Sequence, residues 1–177
     1  MILSLVQRYS LKISFALALL LGLQIPHFLT LYETRLDAHY QESLSQLKQY
    51  QKLADLLFGG DLNALVNTHK SSDIALFRAE TEILEKLITR VELLKKQKVS
   101  LQGSLLQRLI YLSTQVNRPL FNETQKNYQA NIVLDQQSIT VGLIVATLLT
   151  LLLEMIYLLT PLIVKKVKLR MLQTSIN

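Results

Sequence analysis

The sequence predicts an all-α membrane protein in which two transmembrane helices bracket an extracytoplasmic antiparallel helical bundle. Three observations carry that expectation. Half of the 177 residues are hydrophobic while only 7% are aromatic and Trp is absent, so the excess is aliphatic. This aliphatic excess gathers in two blocks near the chain ends, as membrane spans do, instead of spreading through a large core. Basic residues stand at the outer end of each block, where they set orientation. The length suits one domain of ordinary size, and the mean hydropathy of +0.27 is high for a soluble protein.

The net charge of +6 suggests a nucleic-acid binder until the charges are located. Between Glu33 and Ser138 stand thirteen Lys and Arg against twelve Asp and Glu, nearly balanced and evenly mixed. The surplus lies outside: Arg8 and Lys12 before the first block, and Lys165, Lys166, Lys168 and Arg170 after the second. A nucleic-acid surface needs clustered cations with aromatics between them, so no nucleic-acid partner is expected. With no cysteine, disulfides, cysteine-ligated zinc and thiol chemistry are excluded.

Residues 1–12 form a cytoplasmic N-terminus. The first span, 13–31, reads ISFALALLLGLQIPHFLTL and has His27 as its one ionisable residue. At ~1.5 Å per residue its nineteen positions cover roughly 28 Å, close to the ~30 Å of a hydrocarbon core. A cleaved signal peptide also begins with a basic stretch and an apolar core. Its cleavage site wants small residues, and here Gln24, Ile25, Pro26, His27 and Phe28 follow the core, which favours an uncleaved anchor. Pro26 should kink the helix.

Residues 32–138 form the extracytoplasmic, periplasmic domain. Leu36, Tyr40, Leu44, Leu47, Tyr50, Leu53, Ala54, Leu57 and Phe58 recur at three- and four-residue steps. They predict one long amphipathic helix continuing out of the first span. Gly59 and Gly60 end it, and Asp61 caps a short helix. Ser71-Ser72-Asp73 marks a second break and cap before a helix whose apolar face holds Ile74, Phe77, Ile83 or Leu84, Leu87, Val91 and Leu94. After a bend at Gly103, a stripe from Leu105 to Val116 predicts another helix, ended by Pro119. Residues 118–137 read as an irregular polar connector. Asn122-Glu123-Thr124 fits a glycosylation pattern that means nothing in a bacterial protein.

The second span, 139–164, reads ITVGLIVATLLTLLLEMIYLLTPLIV and holds one charge, Glu154. Asp135 is placed to cap it, and the basic tail 165–177 closes it on the cytoplasmic side. Both termini are therefore expected in the cytoplasm of a multi-pass membrane protein, and in a bacterium that membrane would be the inner one, with the middle domain periplasmic.

The runs GLQIPHF, DAHYQE and FGGDLNALVNTHKSSDIALFRAE, with Glu154 and the basic tail, resemble domain-of-unknown-function family 2937, small proteobacterial inner-membrane proteins. FGGDL and its spacing to His69 and to Phe77-Arg78 carry most of the resemblance, which covers the chain apart from 99–134. It implies the same topology and names no activity.

Glu154 breaks the rules of its surroundings, since a carboxylate in hydrocarbon needs a partner. Counted inward from Lys165 it lies roughly 16 Å deep, and Gln24, counted from Lys12, roughly 18 Å. Similar depths suggest an intramembrane polar pair of Glu154 and Gln24, within one chain or between protomers. A docking or proton-binding carboxylate is the sharper reading. His39 with Asp37 and Glu42, or His69 with Asp61 and Asp73, carry metal-ligand chemistry, but one i,i+3 pair without a second such motif is better read as a solvated face. FGGDL lacks the Lys-Ser/Thr of a phosphate loop, and no serine stands in a nucleophile elbow. The expectation is therefore no cofactor, no metal and no enzymatic activity. The lipid bilayer and a membrane-protein partner or second copy are the expected partners of an accessory or assembly factor. A sensory input module signalling through a separate subunit is the alternative, since thirteen residues after Val164 are too few for an output domain.

Overall fold

The structure, a computed structural model, describes residues 2–132 and 134–174, with side chains over 5–132 and 134–160. Its elements are α1 (Ile2–Leu57), α2 (Leu62–Lys70), α3 (Ala75–Ser100), α4 (Leu105–Thr114), α5 (Arg118–Lys126) and α6 (Gln136–Thr174). The fold is all-α, with no strand among the described residues. Two of the helices, α1 and α6, are long and apolar enough to cross a membrane. The chain divides into two compact units, one of residues 1–28 with 129–177 and one of residues 29–128.

α1 is a single helix of 56 residues that runs unbroken through Pro26 and joins the first apolar block to the amphipathic stretch after it. It stops as the glycine pair demands. Gly59 and Gly60 take φ of +58° and +90°, a region open to glycine and strained for other residues. The Gly60 N–H then donates back to the Ala54 carbonyl at 3.0 Å. Asp61 caps α2 by accepting from the backbone N–H groups of Asn63 and Ala64.

In the unit of residues 29–128, α1 is the spine. One core joins Leu29, Tyr32 and Leu36 of α1 to Leu94, Leu101 and Leu120. A second joins Ala54 to Leu65, Val66 and Leu84. Contacts between α1 and α3 run in opposite chain directions, Tyr50 bonding Glu80 and His39 bonding Arg90.

Three local expectations need correction. Residues 118–126 are not irregular: they form α5, capped by Asn117, whose side chain accepts from the Leu120 N–H. Pro119 ends nothing; it stands in the first turn of α5, where its missing N–H costs no hydrogen bond. Asp73 is not the cap of α3 either, because the N-cap is Ile74 and makes no side-chain cap bond. The Ser72 hydroxyl instead accepts from the Ile74 N–H at 3.2 Å.

In the unit of residues 1–28 and 129–177, α1 and α6 lie antiparallel in close contact. A Cβ added to Gly22 would stand 2.8 Å from the Gly142 Cα, which leaves it no room, and one added to Gly142 would press on Leu19 and Leu23 at 3.1–3.2 Å. Asp135 caps α6 as expected, accepting from the Ser138 N–H at 2.6 Å.

Leu84 is fully buried and its neighbour Ile83 is 63% exposed. Leu84→Ala should destabilise the protein by about 2–4 kcal/mol, and Ile83→Ala by well under half of that. Thermal melts followed by helical circular dichroism check the difference. Equal losses would mean that α3 buries another face.

Candidate functional site

Two sets of polar residues stand out, one in each unit. In the helix pair, Gly22 against Gly142 sets the register, and Ser10 and Tyr157 extend it with hydroxyls 3.4 Å apart. Because the helices are antiparallel, moving from Gly142 to Glu154 on α6 moves back by twelve on α1, from Gly22 to Ser10. The Ser10–Tyr157 contact gives position 13 by the same count. Glu154 is therefore level with residues 10 to 13 of α1, and Lys12 lies in that interval.

Within one chain this register sets Glu154 apart from Gln24. Lys12 and Lys165, from which their similar depths follow, do not stand level. Gln24 lies level with residues 140 to 143, about 18 Å along the axis from Glu154. Its side-chain amide donates to the Asn131 carbonyl at 3.4 Å. Glu154 is exposed on the outer surface of α6 and makes no hydrogen bond or ion pair with any described residue. Arg8 and Lys12 are exposed too, and the Lys12 Nζ sits 5.7 Å from the centre of the Tyr9 ring. The side chains of Lys165, Lys166, Lys168 and Arg170 lie outside the described residues, although their backbone belongs to α6.

The second set flanks the apolar stripe of α1. Leu29, Tyr32, Leu36 and Tyr40 face the core. At about 100° per residue, Glu33 and Asp37 run along one edge of that stripe and Arg35 and His39 along the other. Each edge meets its complement. Both Glu33 carboxylate oxygens accept from one Arg108 nitrogen at 2.9 Å, and Asp37 pairs with Lys98. On the other edge Glu123 of α5 accepts from Arg35 at 3.0 Å and bonds the His39 Nε2 at 2.9 Å.

Arg90 assigns the histidine's proton. Its guanidinium only donates, and it reaches the His39 Nδ1 at 3.3 Å. That nitrogen must accept, so the neutral ring carries its proton on Nε2 and donates to Glu123. Arg90, His39 and Glu123 border a cleft of about 310 Å3 floored by Leu93, Leu94 and Leu120.

The residues of metal-ligand type have other tasks. Asp61 caps α2, Asp37 is paired with Lys98, and His69 stacks on Phe77 with ring centres 5.1 Å apart. Among the described residues no three side chains of metal-ligating type converge. Sequence reasoning missed Glu123, having placed it in a connector. The signal that finds it is Asn117-Arg118-Pro119, a cap followed by a proline in the first turn.

The hydrogen bond from His39, and behind it the charge that ring carries when protonated and the Arg35 guanidinium, hold the Glu123 carboxyl below its ordinary value of 4.5 against the opposing effect of burial. Lys98 likewise lowers Asp37 from 3.8. A depressed carboxyl contributes stability that is complete above its unfolded value and is lost as pH falls through the folded one. Glu123→Gln should therefore flatten the acid limb of the melting temperature below about pH 4.5 and leave the neutral limb's slope unchanged. Melts from pH 7 to pH 3 (about the range in which carboxylates titrate) check this. An unchanged acid limb would remove Glu123 from the acid response.

A family profile described as "Protein of unknown function (DUF2937)" matches residues 6–166, including the segment 99–134 that the sequence resemblance left uncovered. No curated protein and no solved structure matches the chain.

Proposed function

This chain belongs to that family of unknown function, and we propose that it is a non-enzymatic, two-span protein of the bacterial inner membrane that works by binding other membrane protein. Both termini are cytoplasmic, and residues 32–138 form a periplasmic antiparallel helical bundle. The basic flanks of both apolar blocks support the orientation, and the opposed contacts of α1 and α3 support the bundle.

The observation that carries the binding role is Glu154, exposed on an apolar helix with no partner among the described residues. A core ~30 Å thick laid inward from Ile139 takes about twenty residues, so Glu154 falls about 6 Å inside the inner boundary. A carboxylate at a helix centre costs about 2.5–3.5 kcal/mol on insertion scales, and less toward the ends. Lys12 and Arg8 have stems long enough to reach the interface, and glutamate does not. A partner that brings a cation or a hydrogen-bond donor to this face removes the cost.

The cleft beside Arg90 favours a second reading, a sensory domain for a small carboxylate. Arg90 makes no ion pair among the described residues, and the volume suits a small ligand. A thermal shift with short monocarboxylates that Arg90→Ala abolishes would favour it.

Because the chain has no cysteine, single cysteines report topology without background. In whole cells with the outer membrane permeabilised, Ser45→Cys should react with a membrane-impermeant thiol reagent, and Gln173→Cys only after the inner membrane is opened. The reverse pattern overturns the orientation. Crosslinking within the membrane should yield an adduct that Glu154→Leu loses; an unchanged adduct would remove Glu154 from the interface.

A further inference from the structure

We propose that the Glu154 face of the helix pair is covered by a second copy of this chain, with Lys12 of each copy paired to Glu154 of the other. The proposal rests on the membrane-spanning reading above and names the partner of that same site.

Level and side support it independently. The register puts Lys12 and Glu154 at one level. Ala146, fully buried, marks the line of α6 that faces α1, and Ala18, 3% exposed, marks the corresponding line of α1. At about 100° per residue, Glu154 lies about 80° round from Ala146, and Lys12 about 120° round from Ala18 in the same rotational sense. In an antiparallel pair of right-handed helices, equal senses of rotation lead to the same side. Both charges therefore stand on one outer side of the pair, and both are exposed.

Within one chain the two do not meet. The Lys12 ammonium lies over Tyr9, and Glu154 has no cation among the described residues. A two-fold axis parallel to the helices, just beyond this side, leaves every residue at its own level. It brings α1 of one copy opposite α6 of the other. Lys12 then faces Glu154 twice, once on each side of the axis, as an isologous interface requires. An unrelated helix would have to supply its own cation at this depth. A second copy already has one there, and the face is its own electrostatic complement.

The test uses full-length protein labelled through Gln173→Cys, in vesicles of phosphatidylethanolamine and phosphatidylglycerol, with self-association read by energy transfer between donor- and acceptor-labelled copies. Lys12→Glu alone and Glu154→Lys alone should each weaken self-association tenfold or more, since each homodimer then opposes like charges. Mixing these two variants should restore association, because each supplies the other's missing charge. The double variant should associate with itself. Restoration by mixing cannot come from misfolded protein or from a pair within one chain. Energy transfer that is absent in the wild type, unaffected by either single variant, or not restored by mixing overturns the proposal. Flotation with the vesicles after alkaline washing is read in parallel. Wild-type protein that fails to float overturns the membrane-spanning reading itself, whereas protein that floats without associating overturns only the pairing.

Discussion

Every polar group in the helix pair takes its level from the approach of Gly22 to Gly142. Two backbones can come this close only where neither residue carries a Cβ, and a methyl on Gly22 would stand 2.8 Å from the Gly142 Cα. In the membrane-spanning reading proposed above there is little hydrophobic drive between helices in lipid, so close backbone packing is the main source of their attraction. Pro26 stands one turn beyond Gly22 and has no N–H to return to the Gly22 carbonyl. Once these glycines meet, Lys12 is level with Glu154, and Gln24 is not. The level of a carboxylate in one helix is therefore set by a residue without a side chain in the other.

The unit of residues 29–128 follows a different logic. Its apolar stripe on α1 is narrow, and the residues at its two edges are charged or polar. Glu33 and Asp37 take Arg108 and Lys98 on one edge, while Arg35 and His39 share Glu123 on the other. Each half-exposed pair is worth little in water. Together they specify which helix lies on which side of the spine, a choice the apolar residues alone leave open. His39 adds a constraint on its own protonation. Flanked by a guanidinium that only donates and a carboxylate that only accepts, its neutral ring has one consistent tautomer.

Local signals in the sequence led to local structure that the folded chain keeps. Two apolar blocks with basic flanks lie on the two membrane-capable helices, Gly59-Gly60-Asp61 is a stop followed by a cap, and Asp135 caps α6. The family resemblance was legible from FGGDL and its neighbours. α5 was not, because a helix of nine residues that buries only Leu120 and Thr124 has too little apolar periodicity to announce itself. Its cap and proline were the readable sign.

What the sequence determined by itself is what depends on near neighbours along the chain: helical segments, their caps and stops, the apolar lengths and the charge at their ends. Tertiary structure alone decided the register of α1 against α6, and with it the company of Glu154. It also decided that Arg35 and His39 of α1 share the Glu123 carboxylate of α5 while Arg90 of α3 reaches the other ring nitrogen of His39. The physical reason is the same in both cases. Hydrophobic periodicity tells a helix which face to bury, but the height at which two faces meet depends on where small residues allow backbones to touch, and that appears only when both helices are in place.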